Sequence, residues 1–377
     1  MSDLLIITPQ FVAALAAVAL MTTVAAWFLA RRHHRAAAIM TGLLASLLLP
    51  ATAADAFNAH YQYLPRLADV VNSPTWPTAH ASLVLDPDPD RPFRPQPAGA
   101  VVQLALPGPA SGFGTPSSYI YLPPQYFTEP TRRFPVVYLI HGSPGGPIDW
   151  FRSARAAEAG AQAARQGTPV IIVAPKASRS WTDDSECVDS PREQVETYLT
   201  RDVPAAVDRV LRTVPAAAGR IIGGNSAGGY CALNLGLRHR DVFSGVMDLS
   251  GFDHPTYDQG MAALFGHQPD LPATVRANTP AQYARSLPAG PRLNIWLDTG
   301  RSDVAARADA HRMLTLLTEA GQNVQLHERA GGHEYGVWRP GLRQALLWSA
   351  RQLAHPAPQS GDIRSASAAP HRPGGAG

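Results

Sequence analysis

Residues 221–237 restrict the possible folds of this chain more than any other stretch. They run from Ile-Ile-Gly-Gly-Asn-Ser-Ala-Gly-Gly-Tyr into an apolar helix-forming segment, and they contain Gly224-x-Ser226-x-Gly228. Glycines at these positions let a strand turn sharply into a helix, so that the Ser226 hydroxyl projects beside the helix N-terminus. The five motif residues alone would fit an exposed Gly/Ser turn equally well. The strand before them and the helix after them favour a nucleophile elbow.

An acid and a histidine follow this serine in the order that the elbow requires. Residues 293–303 form an apolar strand that leads into a glycine-bearing loop ending at Asp303, and residues 331–333, Gly-Gly-His, follow the last predicted strand. A serine hydroxyl is a weak nucleophile, so an imidazole must accept its proton and a carboxylate must orient the imidazole. The sequence therefore predicts Ser226, His333 and Asp303 as nucleophile, base and acid.

The acid has competitors. Asp298 ends the apolar strand whose following loop contains Asp303, while Asp248 and Asp253 follow the preceding strand. His333 could also be an ordinary loop histidine, although the two glycines before it favour a functional role. His333-Glu334 is no zinc motif because no second histidine follows at helical spacing. We expect neither a metal nor another cofactor.

A second glycine-rich loop follows the apolar strand in residues 134–146. In this architecture such a loop donates one backbone N–H to the developing oxyanion, and the residue after the nucleophile donates another. These positions correspond to Ser143 (or Gly142) and to Ala227. We interpret His141 as a residue that braces the loop rather than as a proton carrier.

Several segments together are similar to the putative esterase family, which includes esterase D, feruloyl-type esterases and the antigen 85 mycolyltransferases. They are Tyr-Leu-Pro-Pro-Gln-Tyr at 121–126, Leu-Ile-His-Gly-Ser at 139–143, Val-Glu-Thr-Tyr-Leu-Thr at 195–200, the elbow, and Gly-His-Glu-Tyr-Gly-Val-Trp at 332–338. The third and last segments are closest to the antigen 85 branch. The resemblance implies an α/β-hydrolase fold with a mostly parallel central sheet flanked by helices. It also implies carboxylic-ester or acyl-transfer chemistry, the Ser226, Asp303 and His333 triad, and Ser143 and Ala227 as oxyanion donors.

The N-terminus indicates a membrane protein. Residues 4–30 are apolar and long enough to cross a bilayer, residues 31–35 are Arg-Arg-His-His-Arg, and residues 36–54 are apolar again. Because basic clusters remain cytoplasmic, both ends of this transmembrane hairpin should face outward. The catalytic domain would then be extracytoplasmic at the cell membrane. In the alternative interpretation, residues 31–53 are a signal peptide cleaved near Ala53, which would release the domain.

We predict four regions: membrane segments at 1–55, a linker at 56–98 with aromatic residues that dock on the domain or the membrane surface, a catalytic domain at 99–355, and a disordered tail at 356–377. Residues 252–287 interrupt the strand and helix alternation and are a candidate cap over an acyl pocket. The chain has two cysteines, Cys187 and Cys231, which could form a disulfide in an oxidising compartment.

Two functions remain open. One is a serine esterase or acyltransferase acting on a small-molecule or glycolipid ester. The other is a non-catalytic binding or structural protein of the cell envelope with an antigen 85-like fold. The filled triad positions favour catalysis. The net charge of +3 is small for 377 residues and no basic-aromatic stripe is present, so we expect no nucleic-acid partner.

Overall fold

A nine-stranded sheet organises the chain in the computed structural model, which describes residues 4–71, 78–79, 81 and 97–354. The strands are β1 Thr78–Ala79, β2 Ala100–Ala105, β3 Ser117–Leu122, β4 Val136–Ile140, β5 Ile171–Ala174, β6 Arg220–Asn225, β7 Gly245–Leu249, β8 Asn294–Gly300 and β9 Asn323–Arg329. Their spatial order is β1-β2-β3-β5-β4-β6-β7-β8-β9. Only the β2/β3 and β3/β5 pairs are antiparallel. The predicted tail at 356–377 lies outside the described residues, as does nearly all of residues 82–97 in the predicted linker.

Helices cover both faces of this sheet. Two long helices precede it, α1 Pro9–Arg31 and α2 Arg35–Tyr61. The others span Leu67–Val71, Pro124–Thr128, Asp149–Arg152, Ala156–Arg165, Val195–Thr197, Val203–Val210, Ala227–Arg238, Met261–Phe265, Leu271–Ala277, Pro280–Tyr283, Val304–Glu319 and Tyr335–Ala354, with a π-helical turn at Tyr198–Asp202 and 3-10 turns at Ala217–Gly219 and Ala284–Ser286. Sheet and helices together form the α/β architecture that the sequence predicts.

The central strands are buried on both faces. All five residues of β4 are buried, and they alternate between two apolar layers: Val136, Tyr138 and Ile140 lie on one face, while Val137 and Leu139 lie on the other. Parallel strands covered by helices on both sides require such continuous apolar runs. Each Å² of apolar surface that these two layers bury stabilises the fold by about 25 cal/mol. They also hold the strand ends at one edge in a fixed register.

The two N-terminal helices are apolar and pack against each other. Their most apolar windows have mean hydropathies of 2.2 and 1.8, and only 6% of each window is buried in the protein. Both are long enough to cross a bilayer, although a signal sequence would satisfy the same criterion. Helix α2 runs through Pro50 and past residue 55 as far as Tyr61. The predicted boundary at residue 55 therefore falls inside a continuous helix.

Candidate active site

Ser226 lies at a sharp turn between β6 and the helix Ala227–Arg238. Its φ of 55° and ψ of −127° are unusual for a residue with a side chain. The turn needs glycine on either side: a Cβ on Gly224 would lie 1.8 Å from the Gly228 carbonyl oxygen, and one on Gly228 would lie 2.1 Å from that of Ile140. The Ser226 amide donates to the Leu249 carbonyl of β7 at 3.0 Å. The sheet thus holds this serine in its strained conformation with the side chain at the strand ends.

His333 connects Ser226 with Asp303. Its Nε2 lies 2.7 Å from Ser226 Oγ, and its Nδ1 lies 2.6 Å from Asp303 Oδ2. The His333 side chain is 24% exposed and the Asp303 side chain 8%. The distances fit an Nδ1–H that donates to the carboxylate, which leaves Nε2 free to accept the serine proton. The three residues predicted from the sequence therefore form one continuous hydrogen-bonded chain.

Backbone hydrogen bonds join the loop of the acid to the loop of the histidine. The Arg301 amide donates to the Arg329 carbonyl at 2.7 Å, and the Ser302 amide donates to the Gly331 carbonyl at 2.9 Å. Asp303 follows directly and precedes the helix Val304–Glu319. The two loops extend the β8/β9 pairing beyond the sheet, so the distance between Asp303 and His333 is set by main-chain contacts.

The competing carboxylates have other partners. Asp298 accepts hydrogen bonds from the Arg329 guanidinium at 2.6–2.9 Å and from Trp296 Nε1 at 3.2 Å. Asp248 accepts from the Gly251 amide at 2.6 Å, and burial raises its pKa to about 7. Among the described residues, none of these contacts reaches His333.

Asp253 is the remaining alternative, and it lies in an ionic cluster with His254, Asp309 and Arg312. The two carboxylates and the imidazole are close enough together to be considered as metal ligands. However, the Arg312 guanidinium donates to both carboxylates and already supplies a positive charge. The cluster therefore fits an ion-pair network better than a cation site.

Ser143 and Ala227 line the same small cleft beside Ser226, together with His141 and Gly142. Gly142 passes so close that a Cβ there would lie 3.2 Å from Ser226 Cβ. As the first residue of its helix, Ala227 has no intrahelical acceptor for its amide. The structure thus places Ser143 and Ala227, the two predicted oxyanion donors, in one cleft next to the nucleophile.

His141 braces this loop, in line with its interpretation from the sequence. Its Nδ1 lies 2.9 Å from the Gly142 carbonyl, and its Nε2 accepts from the Ala177 amide at 3.1 Å. An Nε2 that accepts from an amide carries no proton, so the ring is neutral with its hydrogen on Nδ1. Burial lowers the His141 pKa to about 4. Because both nitrogens are occupied, His141 is unsuited to proton transfer.

Three further residues fix the loop, and motif analysis missed them. The Asp149 carboxylate accepts from the Gly146 amide at 2.8 Å, and burial raises its pKa to about 6. The Trp181 carbonyl accepts from the Gly145 amide at 2.7 Å. The Tyr63 hydroxyl donates to the Pro144 carbonyl at 2.7 Å. Of the three, only Asp149 could be assigned to this loop from the local sequence, because an acid three residues after a glycine in a turn often accepts a hydrogen bond from the glycine amide.

Cys187 and Cys231 are joined by a disulfide in the structure. The bond attaches the loop around residues 183–190 to the elbow helix, one turn beyond Ser226. Glu186, next to Cys187, accepts from the Thr256 amide, and burial raises the pKa of Glu186 to about 8. This loop therefore connects the elbow helix to the predicted cap.

The cap region, residues 252–287, contains the short helices Met261–Phe265, Leu271–Ala277 and Pro280–Tyr283. It begins at the site, where the Phe252 ring stacks 6.0 Å from the His333 ring. A separate polar cavity of about 480 Å³ is lined by segments within residues 111–116, 176–179 and 190–194. Neither Ser226 nor His333 lines this cavity.

A mostly parallel sheet, a serine at a strand-to-helix elbow and a histidine and an acid after later strands define an α/β-hydrolase fold. The chain belongs to the Putative esterase family, whose model matches residues 115–349. It is 32% identical over 265 residues to an uncharacterized protein of Corynebacterium glutamicum, covering 67% of this chain and 62% of that protein.

Two solved structures show the same fold. A ferulic acid esterase has a TM-score of 0.56 at 23% identity and covers 67% of this chain and 97% of its own. MPT51 of Mycobacterium tuberculosis has a TM-score of 0.50 at 20% identity and covers 66% of this chain and 97% of its own. Together with the family match, these likenesses confirm the predicted putative esterase family and its α/β-hydrolase fold.

Proposed function

We propose that this esterase cleaves carboxylic esters through an acyl-enzyme on Ser226, with His333 as general base and acid and Asp303 as the orienting carboxylate. The observation that carries the proposal is the hydrogen-bonded chain from Ser226 Oγ through His333 to Asp303, with distances of 2.7 and 2.6 Å. Hydrogen-bond contact between nucleophile and base, and between base and acid, is the arrangement that serine catalysis needs.

In the first half-reaction, Ser226 Oγ attacks the ester carbonyl carbon while its proton passes to His333 Nε2. The amides of Ser143 and Ala227 stabilise the oxyanion that forms. The tetrahedral intermediate collapses, the C–O bond to the alcohol breaks, and the alcohol oxygen takes the proton from His333. Water or another hydroxyl then repeats these steps on the acyl-enzyme, giving a free acid or a new ester. Throughout, Asp303 stays ionised and stabilises the imidazolium.

The alternative is a binding or structural envelope protein that retains the fold without chemistry. Such a protein has no need of a nucleophile, base and acid in hydrogen-bond contact. It would also have no need of a strained backbone at Ser226, because strain of this kind costs of order 1–3 kcal/mol and persists only where the surroundings enforce it. Both features favour catalysis.

The test is turnover of p-nitrophenyl esters with acyl chains of 2 to 16 carbons by the full-length chain. We expect hydrolysis that follows saturation kinetics and that Ser226→Ala abolishes, because only Ser226 can carry the acyl group. Adding trehalose or glycerol as acceptor separates the two outcomes of the second half-reaction: a transferase forms a new ester, while a hydrolase does not. A purified, folded chain without turnover on any ester would contradict the proposal.

We further propose that α1 and α2 anchor the chain in the cell membrane with the esterase domain outside the cytoplasm. Arg31, Arg32 and Arg35 lie at the turn between the two helices. Because such positive clusters remain cytoplasmic, the opposite ends of both helices, and the domain beyond α2, would face outward. The disulfide between Cys187 and Cys231 supports this orientation, since such bonds persist in oxidising compartments.

External protease should digest the domain in intact bacterial cells that express the full chain. Carbonate washing then distinguishes the two forms of the protein: an anchored chain stays with the membranes, while a chain cleaved near Ala53 is released. A cytoplasmic protein expressed in the same cells serves as the control for cell integrity. Protection of the esterase domain alongside that control would refute the outward orientation.

A further inference from the structure

The end of the N-terminal hairpin contacts both loops of the candidate active site. The Tyr63 hydroxyl donates to the carbonyl of Pro144, the residue after Ser143 in the oxyanion loop, at 2.7 Å. The Tyr63 ring lies 4.7 Å from the ring of Tyr335, two residues after His333. One side chain just beyond the membrane helices therefore touches the loop of the oxyanion donor and the segment of the base.

A rigid local structure presents Tyr63 to these loops. Helix α2 ends at Tyr61, and the next residue, Gln62, has a left-handed backbone conformation. The Asn58 side chain exchanges two hydrogen bonds with the Leu64 backbone, at 2.8 and 2.9 Å. The Gln62 carbonyl accepts from Arg339 at 3.3 Å. The Gln62 side chain packs against Gly336, where a Cβ would lie 2.3 Å from the Gln62 side-chain oxygen and would displace that side chain. The contact is thus built from both sides.

The chain start is tied to the same place. The Ile6 amide donates to the Pro65 carbonyl at 3.0 Å, and the Leu67 amide donates to the Leu4 carbonyl at 2.9 Å. These bonds hold the outer ends of α1 and α2 together beside the esterase domain. Burial raises the pKa of Tyr63 far above its usual range, so its hydroxyl remains a proton donor at every physiological pH.

The dimensions place this contact at the lipid headgroups. Helix α2 has 27 residues, and at about 1.5 Å per residue it is about 40 Å long, roughly 10 Å more than the apolar core of a bilayer. With its basic start at the cytoplasmic surface, its end reaches the outer headgroup region. Phe57 and Trp181 are 38% and 49% exposed there, with ring centroids 6.1 Å apart. Exposed aromatic rings at that level are typical of a membrane interface.

Resting on the proposed ester chemistry and membrane anchoring, we infer that Tyr63 is a positioning residue that couples the membrane hairpin to the oxyanion loop. Through this coupling, Ser226 is held at the headgroup level, where its substrate is an ester of a lipid in the same membrane. The ester carbonyl of a membrane lipid lies at that depth, so the lipid need not leave the bilayer to reach Ser226.

Tyr63→Phe tests the coupling because it retains the ring against Tyr335 and removes only the hydrogen bond to Pro144. In full-length protein reconstituted into phosphatidylcholine vesicles, we expect kcat for p-nitrophenyl butyrate to fall about tenfold, as for the loss of one buried hydrogen bond in the transition state. KM should stay unchanged, and the variant should remain folded at the assay temperature. Tyr61→Phe is the matched control, since the Tyr61 hydroxyl makes no hydrogen bond within the described residues and its ring remains in the same cluster. Equal kcat values for the two variants would overturn the positioning role.

The lipid substrate is tested with dioleoylglycerol carrying a labelled acyl chain. We expect release of labelled oleate when this lipid is in the vesicles that contain the enzyme, and at least tenfold less when it is in separate vesicles. Equal release from both populations, or release from neither while p-nitrophenyl butyrate is still cleaved, would overturn the inference alone. A wild-type protein that cleaves neither ester would instead overturn the proposed function, and this inference with it.

Discussion

Ser226→Ala should eliminate reaction of the esterase with a fluorophosphonate probe and lower kcat for ester hydrolysis by roughly five to six orders of magnitude. The probe reacts only with a serine whose proton can be removed, and His333 Nε2 lies 2.7 Å from Ser226 Oγ. His333→Ala should cause nearly the same loss, because the nucleophile and its base act as a unit and their effects are not additive. Gel fluorescence of the folded proteins after probe treatment measures labelling of each variant, and initial rates of ester hydrolysis measure kcat.

Ser250→Ala is a matched control for this experiment. Ser250 also follows a parallel strand and also has a positive φ, 56°, but it is 2% exposed and its hydroxyl makes no hydrogen bond within the described residues. We expect Ser250→Ala to be labelled like the wild type. Undiminished labelling of Ser226→Ala would show that another residue is the nucleophile.

The fold and the nucleophile could be predicted from the sequence because their signals are local. The strands β4, β6, β7 and β8 are short apolar runs, and a glycine lies within two residues of the end of each, as expected for buried parallel strands bounded by turns. The elbow needs glycines within two residues of Ser226, and sterics alone explain why. Neither conclusion depends on a contact between distant parts of the chain.

The sequence favours Asp303 as the acid but leaves Asp298 open, because Asp298 lies in the strand that leads to Asp303. The structure separates them through a contact across the sheet. Arg329 at the end of β9 pairs in register with Gly300 of β8, and its guanidinium reaches back to Asp298. Sequence spacing does not predict which side chain of a neighbouring strand neutralises a carboxylate.

The role proposed for Tyr63 was also beyond sequence analysis. Aromatic residues after a membrane helix indicate docking on a domain or a bilayer in general. The hydrogen bond to Pro144 joins residues 81 positions apart. It depends on the left-handed backbone of Gln62, just after the end of α2, which no local pattern reveals.

Asp303→Asn should lower activity but not stability, whereas Asp298→Asn should lower stability but not activity. This contrast tests which aspartate is the triad acid. In Asp303→Asn the amide can hold the wrong imidazole tautomer and cannot stabilise the imidazolium, so kcat should fall by roughly three to four orders of magnitude with little change in unfolding free energy. Asp298 is fully buried against Arg329. Its replacement by Asn leaves that guanidinium without a charged partner and should cost roughly 2–4 kcal/mol of stability, while kcat per folded molecule stays near the wild-type value.

Urea unfolding and initial rates, measured on the same protein preparations, give both quantities for each variant. The expected contrast follows from the contacts: the Asp303 carboxylate lies 2.6 Å from His333 Nδ1, while the three hydrogen bonds from Arg329 commit Asp298 to the sheet edge. If instead Asp298→Asn abolished turnover and Asp303→Asn did not, Asp298 would be the acid. Indifference of kcat to both substitutions would direct the search to Asp248 and Asp253. Because each variant removes one charge and almost no volume, a loss of turnover without a loss of stability can only reflect the site's chemistry.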